Sequence, residues 1–300
     1  MKNKRNTKYL LLLPALAVAS LLQAQDTLYL YKQSQLVNKH ALAQTDSITY
    51  YQDSKHDSLY LFKSTGAVHQ AIAGIDTLRF TNTISQSGAT VTDVEGNKYE
   101  TLILGTQTWM AANLNATKYN DGTTIPNVTD ATAWVCLTTG AYCNYNNKES
   151  NATTYGRLYN WYAVNTGKLC PTGWHVPSDA EWTTLETYLI ANGYNYDGSI
   201  TGNKIAKSMA STTGWNSSTN EGEIGNNPST NNSSGFTALP GGSRVSGGTF
   251  GFVGYGGNWW SSTEFSTSLA DGRTLFYYGD SLDDDGSDEF SGFSVRCLRN

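Results

Sequence analysis

The N-terminal segment constrains this chain most, because it decides which residues fold and in which compartment they do so. Four basic residues precede an apolar run over residues 9–22, which ends in a Leu-Gln-Ala site at residues 22–24. A basic start, a short apolar run and a small-residue site are typical of a secretory signal peptide. The run is only about fourteen residues long, whereas a membrane-spanning helix needs about twenty. We therefore predict a signal peptide at residues 1–24 and an exported mature chain that is secreted, periplasmic or on the cell surface; a stop-transfer anchor is the alternative.

The composition agrees with an extracellular protein that is rich in loops and strands. Charged residues make up 15% of the 300-residue chain and aromatic residues 12%, with 29 glycines. Removal of the signal peptide takes away four positive charges and no acidic ones, which changes the formal net charge from −5 to −9. Such an acidic chain offers no positive field for phosphates, so we expect no nucleic-acid partner.

Four cysteines, an even number in an exported chain, predict disulfides. Cys136 and Cys143 lie seven residues apart around a glycine, a spacing that suits a small closed loop. Cys170 and Cys297 would then close the long loop between them, although four cysteines allow three connectivities and the other two stay open. The spacing offers zinc neither CxxC pairs nor a nearby histidine. We assign all four cysteines to disulfides.

Residues 25–80 contain a two-copy β-strand repeat. The stretch DTLYLYK at residues 26–32 recurs as DSLYLFK at 57–63, and DSITY at 46–50 recurs as DTLRF at 76–80. The offsets of 31 and 30 residues are too similar to be chance. Alternating side chains predict strands, so each copy is a strand–turn–strand unit. Such a small β-module has little core of its own.

A polar linker is predicted at residues 81–92, and one domain occupies residues 91–300. The clearest helix begins at Ser178, which forms a capping box with a glutamate three residues later. A weaker helix is expected near residues 203–210, and residues 292–298 alternate like a buried strand. Two helices among short strands and long loops make this domain α+β.

Several short blocks of the large domain stand out. In order along the chain they are DVEGNKY at 93–99 with GTQTWMAANL at 105–114, YGRLYNWYAV at 155–164, CPTGWHVPSDAEW at 170–182, GFTALPGG at 235–242, and WWSS at 259–262 with GFSVRCLR at 292–299. Together they resemble the Fibrobacter succinogenes major paralogous domain, a family of secreted and surface proteins of bacteria related to Bacteroides. One departure is Ala112, where the family often has an acidic residue. The family is similar in organisation to C-type-lectin-like and formylglycine-generating-enzyme domains, so the resemblance implies that fold, and it implies no activity.

The sequence contains no recognisable set of catalytic residues. The large domain has a single histidine, His175, just before a helix, where a packed structural role is more common than a catalytic one. A GxSxG elbow is absent. The formylglycine-generating relatives depend on a reactive cysteine pair, but Cys170 and Cys297 match structural positions of the family. We predict no enzyme activity, no catalytic residue and no cofactor; an enzyme related to the formylglycine-generating enzymes is an alternative.

Aromatic residues in loops favour a binding function, since their faces offer large contact areas to sugars or extended peptides. The tryptophans predicted to lie in the core are Trp109, Trp161, Trp174 and Trp182. The aromatic residues predicted to be exposed, all in Gly- and Asn-rich stretches, are Tyr194, Tyr196, Trp215 and Tyr255. Trp259 and Trp260 are neighbours on one strand, so we expect one to be buried and the other presented.

The acidic stretch DDDGSDE at residues 283–289 lies where C-type-lectin-like domains often place calcium ligands. It is not an EF-hand, because aligning Gly286 with the invariant glycine puts Gly292 where the bidentate glutamate belongs. A solvated turn before the terminal strand explains the stretch, with a calcium loop as the alternative. We predict no metal site.

These observations predict an α+β chain in which a small β-repeat module precedes a C-type-lectin-like domain with two helices and short twisted strands. We expect a non-catalytic binding or adhesion module of the bacterial envelope or surface, with an extracellular glycan or protein as its partner and no transmembrane helix. A structural surface or scaffold protein without a small ligand is the alternative. The sequence does not identify the ligand-binding residues.

Overall fold

A computed structural model describes residues 89–300 without interruption and, before them, the backbone of six β-strands. The predicted signal peptide at residues 1–24 lies outside the described residues, and so does most of the predicted linker at 81–92. The chain divides into two compact units, Met1–Ser85 and Gln86–Asn300.

The Met1–Ser85 unit contains two three-stranded antiparallel sheets. Its described strands are β1 (Thr27–Lys32), β2 (Gln35–Ala41), β3 (Ser47–Gln52), β4 (Asp57–Lys63), β5 (Gly66–Val68) and β6 (Thr77–Thr81). The sheet orders are β2-β1-β6 and β3-β4-β5. Strands form at all four repeated stretches, and β2 and β5 add one strand to each copy beyond the predicted strand–turn–strand unit.

The Gln86–Asn300 unit is α+β. Its described strands are β7 (Thr90–Thr92), β8 (Lys98–Leu104), β9 (Gln107–Met110), β10 (Tyr142–Cys143), β11 (Leu158–Tyr159), β12 (Trp174–His175), β13 (Gly241–Arg244), β14 (Phe250–Val253), β15 (Gly256–Ser266), β16 (Leu269–Phe276), β17 (Asp283–Asp288) and β18 (Leu298–Arg299). Its described α-helices are α1 (Ala131–Val135), α2 (Glu149–Tyr155), α3 (Trp161–Val164), α4 (Asp179–Ala191) and α5 (Ala206–Met209). One five-stranded sheet has the order β12-β18-β9-β8-β7, a second has β14-β13-β15-β16-β17, and β10 pairs with β11.

The longest helix, α4, follows its sequence signals. The Glu181 carboxylate accepts hydrogen bonds from the backbone N–H and from the hydroxyl of Ser178, each at 2.8 Å. The buried face of α4 consists of Trp182, Leu185 and Leu189. Gly193 follows the helix with a φ of 75°, a left-handed conformation that glycine adopts without strain. The predicted helix at Ser178 is confirmed.

The other helices are only one or two turns long. The expected helix near residues 203–210 is the short α5, and α1, α2 and α3 bring the helices of the described residues to five, so the prediction of two helices is wrong. Such short helices have no periodic apolar face in the sequence. Two of them have a side-chain cap: at α1, Asp130 Oδ1 accepts from the backbone N–H of Ala133 at 2.8 Å, and at α3, Asn160 Oδ1 accepts from that of Ala163 at 3.1 Å.

A disulfide joins Cys170 to Cys297, whose Cα atoms are 5.9 Å apart. It links the chain before α4 to the residue that precedes β18, inside a cluster of buried core residues. The prediction of a second disulfide is wrong, because Cys136 and Cys143 are free thiols. Cys136 is exposed at the end of α1, whereas Cys143 is buried in another cluster with Trp134, so the two thiols lie in different environments.

The C-terminal segment is more deeply buried than its predicted alternation implies. Residues 292–298 are buried without interruption, and within them only Leu298 belongs to a strand, β18. The backbone of Phe293 exchanges two hydrogen bonds with that of Tyr159, at 2.8 and 3.0 Å. Because neighbours cover both faces of the segment, polar and apolar positions do not alternate in burial.

Seven of the eight tryptophans are buried and Trp174 is half-buried, so the four predicted core tryptophans lie in the core or at its edge. The prediction that Trp259 or Trp260 is presented to solvent is wrong, because both are buried. The indole N–H of Trp259 donates to Asn113 Oδ1 at 2.9 Å, and that of Trp260 donates to the carbonyl oxygen of Tyr159 at 2.7 Å. The first half of β15 is therefore covered on both faces.

Candidate functional site

Two of the four aromatic residues that were predicted to be exposed are exposed, namely Tyr196 and Tyr255. Tyr194 is half-buried. The prediction for Trp215 is wrong, since this side chain is only 8% exposed. Its indole N–H donates to Ser211 Oγ at 3.0 Å, which satisfies the polar end of the ring inside the protein.

A cleft of about 410 Å³ opens beside the second sheet of the Gln86–Asn300 unit. Its lining combines aromatic rings, hydroxyl groups, one amide and one carboxylate: Ser243, Val245, Ser246, Phe252, Asn258, Leu269, Phe276, Tyr278, Gly286, Ser287, Asp288, Ser291 and Phe293. We call this set the aromatic cleft. No member was predicted to bind a ligand, because the sequence pattern does not separate an exposed ring from a buried one.

Tyr278 gives the aromatic cleft an exposed ring. Its side chain is 53% exposed. One face of the ring stacks on Phe276, with the centroids 5.2 Å apart and the planes inclined by 11°. Tyr277 packs edge-on against Tyr278 at 5.2 Å and against Tyr255 at 5.2 Å. These neighbours hold Tyr278 in place, and the rest of its ring is exposed to solvent.

Phe252 lines the same cleft on a strained backbone. Its φ is 70° and its side chain is 51% exposed. Outside glycine this left-handed conformation costs about 1–2 kcal/mol, and bulky residues rarely adopt it. On the facing strand, Gly242 has a φ of 66°, and a Cβ there would lie 2.4 Å from the carbonyl oxygen of Gly251. Backbone strain such as that at Phe252 concentrates at functional sites, where the surrounding structure imposes it.

The hairpin β13–β14, which carries Phe252, is fixed by Arg244. This guanidinium is buried and donates to the carbonyl oxygens of Val128 at 2.7 Å, Thr129 at 2.9 Å and Gly248 at 2.8 Å. It also lies over the Trp134 ring, 4.5 Å from its centroid. Three carbonyl oxygens and an aromatic face take the place of water around the charge.

The polar side of the cleft has hydrogen-bonding capacity to spare. Asn258 Oδ1 accepts from the hydroxyl of Thr274 at 3.0 Å. Within the described part of the chain, no hydrogen bond engages the amide nitrogen of Asn258 or the carboxylate of Asp288. One donor and one acceptor beside an aromatic ring match a ligand whose hydroxyl groups both donate and accept.

The acidic stretch at residues 283–289 is not a solvated turn, so that prediction is wrong. Most of it forms β17, an edge strand paired with β16, and residues 286–288 at the C-terminal end of this strand line the aromatic cleft. Charged residues are tolerated there because an edge strand has one side in solvent. Arg273 lies 3.3 Å from Asp284 and 2.5 Å from Asp179, which anchors the stretch to α4. Among the described residues, no group of three or more candidate ligands could hold a metal ion.

His175 connects three parts of the Gln86–Asn300 unit. Its Nε2 lies 2.9 Å from Glu181 Oε1, and its Nδ1 lies 2.7 Å from Asn300 Oδ1. Burial raises the pKa of Glu181, but hydrogen bonds from Ser178 and from His175 outweigh it and hold that pKa below its usual value. These two contacts engage both ring nitrogens of His175 within the protein.

A second groove, of about 550 Å³, lies between the β8–β9 turn and α4. Its lining is mostly aliphatic and hydroxyl-bearing: Leu104, Gly105, Thr106, Thr183, Thr184, Thr187, Tyr188, Ala191 and Asn192. The Asn192 amide already donates to the carbonyl oxygen of Tyr188 at 2.8 Å. Although this groove is larger, it has no carboxylate and no strained or stacked ring, so the aromatic cleft is the candidate site.

The family model of the Fibrobacter succinogenes major domain matches residues 103–299, more than half of the chain, and the chain belongs to this family. The resemblance seen in the sequence is thereby confirmed, and the whole aromatic cleft lies within the matched residues. No curated protein and no solved structure matches the chain. In the part of the chain that the structure describes, no helix is both long and apolar enough to cross a membrane.

Proposed function

We propose that this chain is an exported, non-catalytic binding module whose aromatic cleft holds an extracellular glycan. The observation that carries the proposal is the pairing of Tyr278, an exposed and supported ring, with Phe252, an exposed ring on a strained backbone, in one cleft. The apolar faces of sugar rings stack on aromatic side chains, while their hydroxyl groups need precisely placed polar partners. Asn258 and Asp288 supply those partners.

An extended peptide that adds to a sheet needs an open edge strand, and two edge strands border the cleft, β14, which carries Phe252, and β17. The sequence of β17 is DDDGSD, with four carboxylates in six residues, and charges along an edge strand oppose strand addition. The sequence of β14 is FGFV and carries no charge, so a peptide that adds to β14 is the alternative ligand of this cleft.

The side chains around the cleft support a non-catalytic role. Glycoside cleavage uses two carboxyl groups that flank one bond, about 5–9.5 Å apart. Asp288 is the one carboxylate that lines the cleft. His175, the histidine of the large domain, has both ring nitrogens engaged by Glu181 and Asn300. Binding needs neither a second acid nor a base.

Export is part of the proposal, and the Cys170–Cys297 disulfide supports it, because disulfides persist in oxidising compartments. We also propose that the Gln86–Asn300 unit has a C-type-lectin-like fold. The disulfide that joins the chain before the long helix to the end of the chain supports this reading. A scaffold protein without a small ligand is the second candidate, favoured by the burial of seven of the eight tryptophans.

The test is a glycan array probed with the full-length chain and three variants. Tyr278→Ala and Phe252→Ala are expected to lose the signal of any glycan that the native chain binds. Tyr196→Ala is the matched control, because Tyr196 is exposed outside the cleft and its loss should leave binding unchanged. Absence of any glycan signal for the native chain contradicts the proposal and favours the scaffold protein.

A further inference from the structure

The strands of the Met1–Ser85 unit pair across the two sequence repeats. By the repeat offsets, β4 corresponds to β1, β5 to β2 and β6 to β3. In the structure, β1 pairs with β2 and β6, whereas β4 pairs with β5 and β3. Each sheet therefore takes two strands from one repeat and its third strand from the other.

The two exchanged pairings have the same register. Leu28 lies opposite Phe80 in the pair of β1 with β6, and Leu59 lies opposite Tyr50 in the pair of β4 with β3. Leu59 follows Leu28 by 31 residues and Phe80 follows Tyr50 by 30, which are the offsets of the repeat itself. At the level of backbone pairing, β3 and β6 are equivalent partners for β1 and β4.

The chain between the strands is too short for a repeat to complete its own sheet. If β3 paired with β1 in the register of β6, β2 and β3 would be parallel strands on either side of β1. Parallel strands need a crossover of about a dozen residues or more. Only residues 42–46 separate β2 from β3, and only residues 69–76 separate β5 from β6. The third strand must therefore come from another repeat.

We propose that the repeat module is a self-association element in which a second copy of this chain supplies the third strand. Exchange of identical elements is a low-cost route to dimers, because the interface reuses pairings that already exist in one chain. Within one chain, a short connection gives an effective concentration of about a millimolar, which favours closure on itself. Exchange between copies therefore takes place when the chains fold at high concentration. The resulting dimers separate slowly, because whole strands must detach.

The test cross-links two full-length variants by a disulfide between positions that lie opposite each other in the pair of β1 with β6. Leu28→Cys and Phe80→Cys are placed on separate chains in a Cys136→Ala, Cys143→Ala background, which removes the native free thiols. The two chains are unfolded without reductant, mixed, and refolded together under mild oxidation. The control mixes Leu28→Cys with Leu59→Cys, since these positions lie in the two central strands, which do not pair.

Covalent dimers should exceed those of the control several-fold and should increase with the concentration during refolding. No excess over the control overturns the proposal. A single chain with both Leu28→Cys and Phe80→Cys then shows why no excess of covalent dimers formed. An internal disulfide in that chain shows that the exchange closes within one molecule, and its absence shows that β1 and β6 do not pair.

Discussion

Loss of the Cys170–Cys297 disulfide should destabilise the Gln86–Asn300 unit strongly. The bridge spans a sequence separation of 127 residues. In the chain-entropy model, a loop of that length restrains the unfolded chain by about 5 kcal/mol at 25 °C. A domain of 150–250 residues loses about 2–4 °C of melting temperature per kcal/mol. Replacement of both cysteines by alanine should therefore lower the melting temperature by about 10–20 °C.

The assay is thermal unfolding followed by near-ultraviolet circular dichroism, which reports on the Gln86–Asn300 unit because all eight tryptophans lie there. Cys143→Ala is the matched control, since Cys143 is equally buried but closes no loop. Loss of its packing should cost about 1 kcal/mol. If the melting temperature of the double variant, Cys170→Ala with Cys297→Ala, falls by no more than twice the decrease seen in the control, then this disulfide does not restrain the unfolded chain as argued.

Three further predictions concern the thiols, the strained residue and the two units. A thiol reagent should modify one cysteine of the native chain and two after denaturation, because Cys136 is exposed and burial raises the pKa of the Cys143 thiol to about 12; two reactive thiols in the native chain contradict this. In urea unfolding, Phe252→Gly should be more stable than Phe252→Ala by about 1 kcal/mol, because glycine relieves the left-handed φ; equal stabilities show that this backbone is not strained. Residues 86–300 should fold alone with a native aromatic dichroism signal, because they contain every helix of the described residues and the disulfide; aggregation of the fragment contradicts a self-contained core.

The sequence was most informative where a local signal acts alone. Ser178 and Glu181 form a capping box that is legible from residue type and spacing. The long-range disulfide agrees with the loop-based assignment, whereas the short pairing of Cys136 with Cys143 does not. The spacing along the chain limits the distance between two thiols, but the burial of Cys143 in a separate cluster is a property of the tertiary fold.

The candidate site could not be predicted, because its members come from distant strands. Phe252 and Tyr278 resemble the buried aromatic residues of the same Gly-rich region in every local respect. Trp215 shows the reverse, since it lies in a polar stretch but is buried, with its indole N–H donating to Ser211 Oγ. Exposure of a ring depends on what packs against it, and that information lies outside any short window of sequence.

The most direct test of the account is hydrogen exchange of the full-length chain with and without a glycan identified on the array. If the aromatic cleft holds the ligand, exchange should slow at residues 250–255 and 276–293, which carry the cleft's rings and its carboxylate. Residues 183–192, which line the second groove, serve as the internal reference and should be unaffected. Slower exchange at residues 183–192 with no change at the cleft would contradict the proposed site.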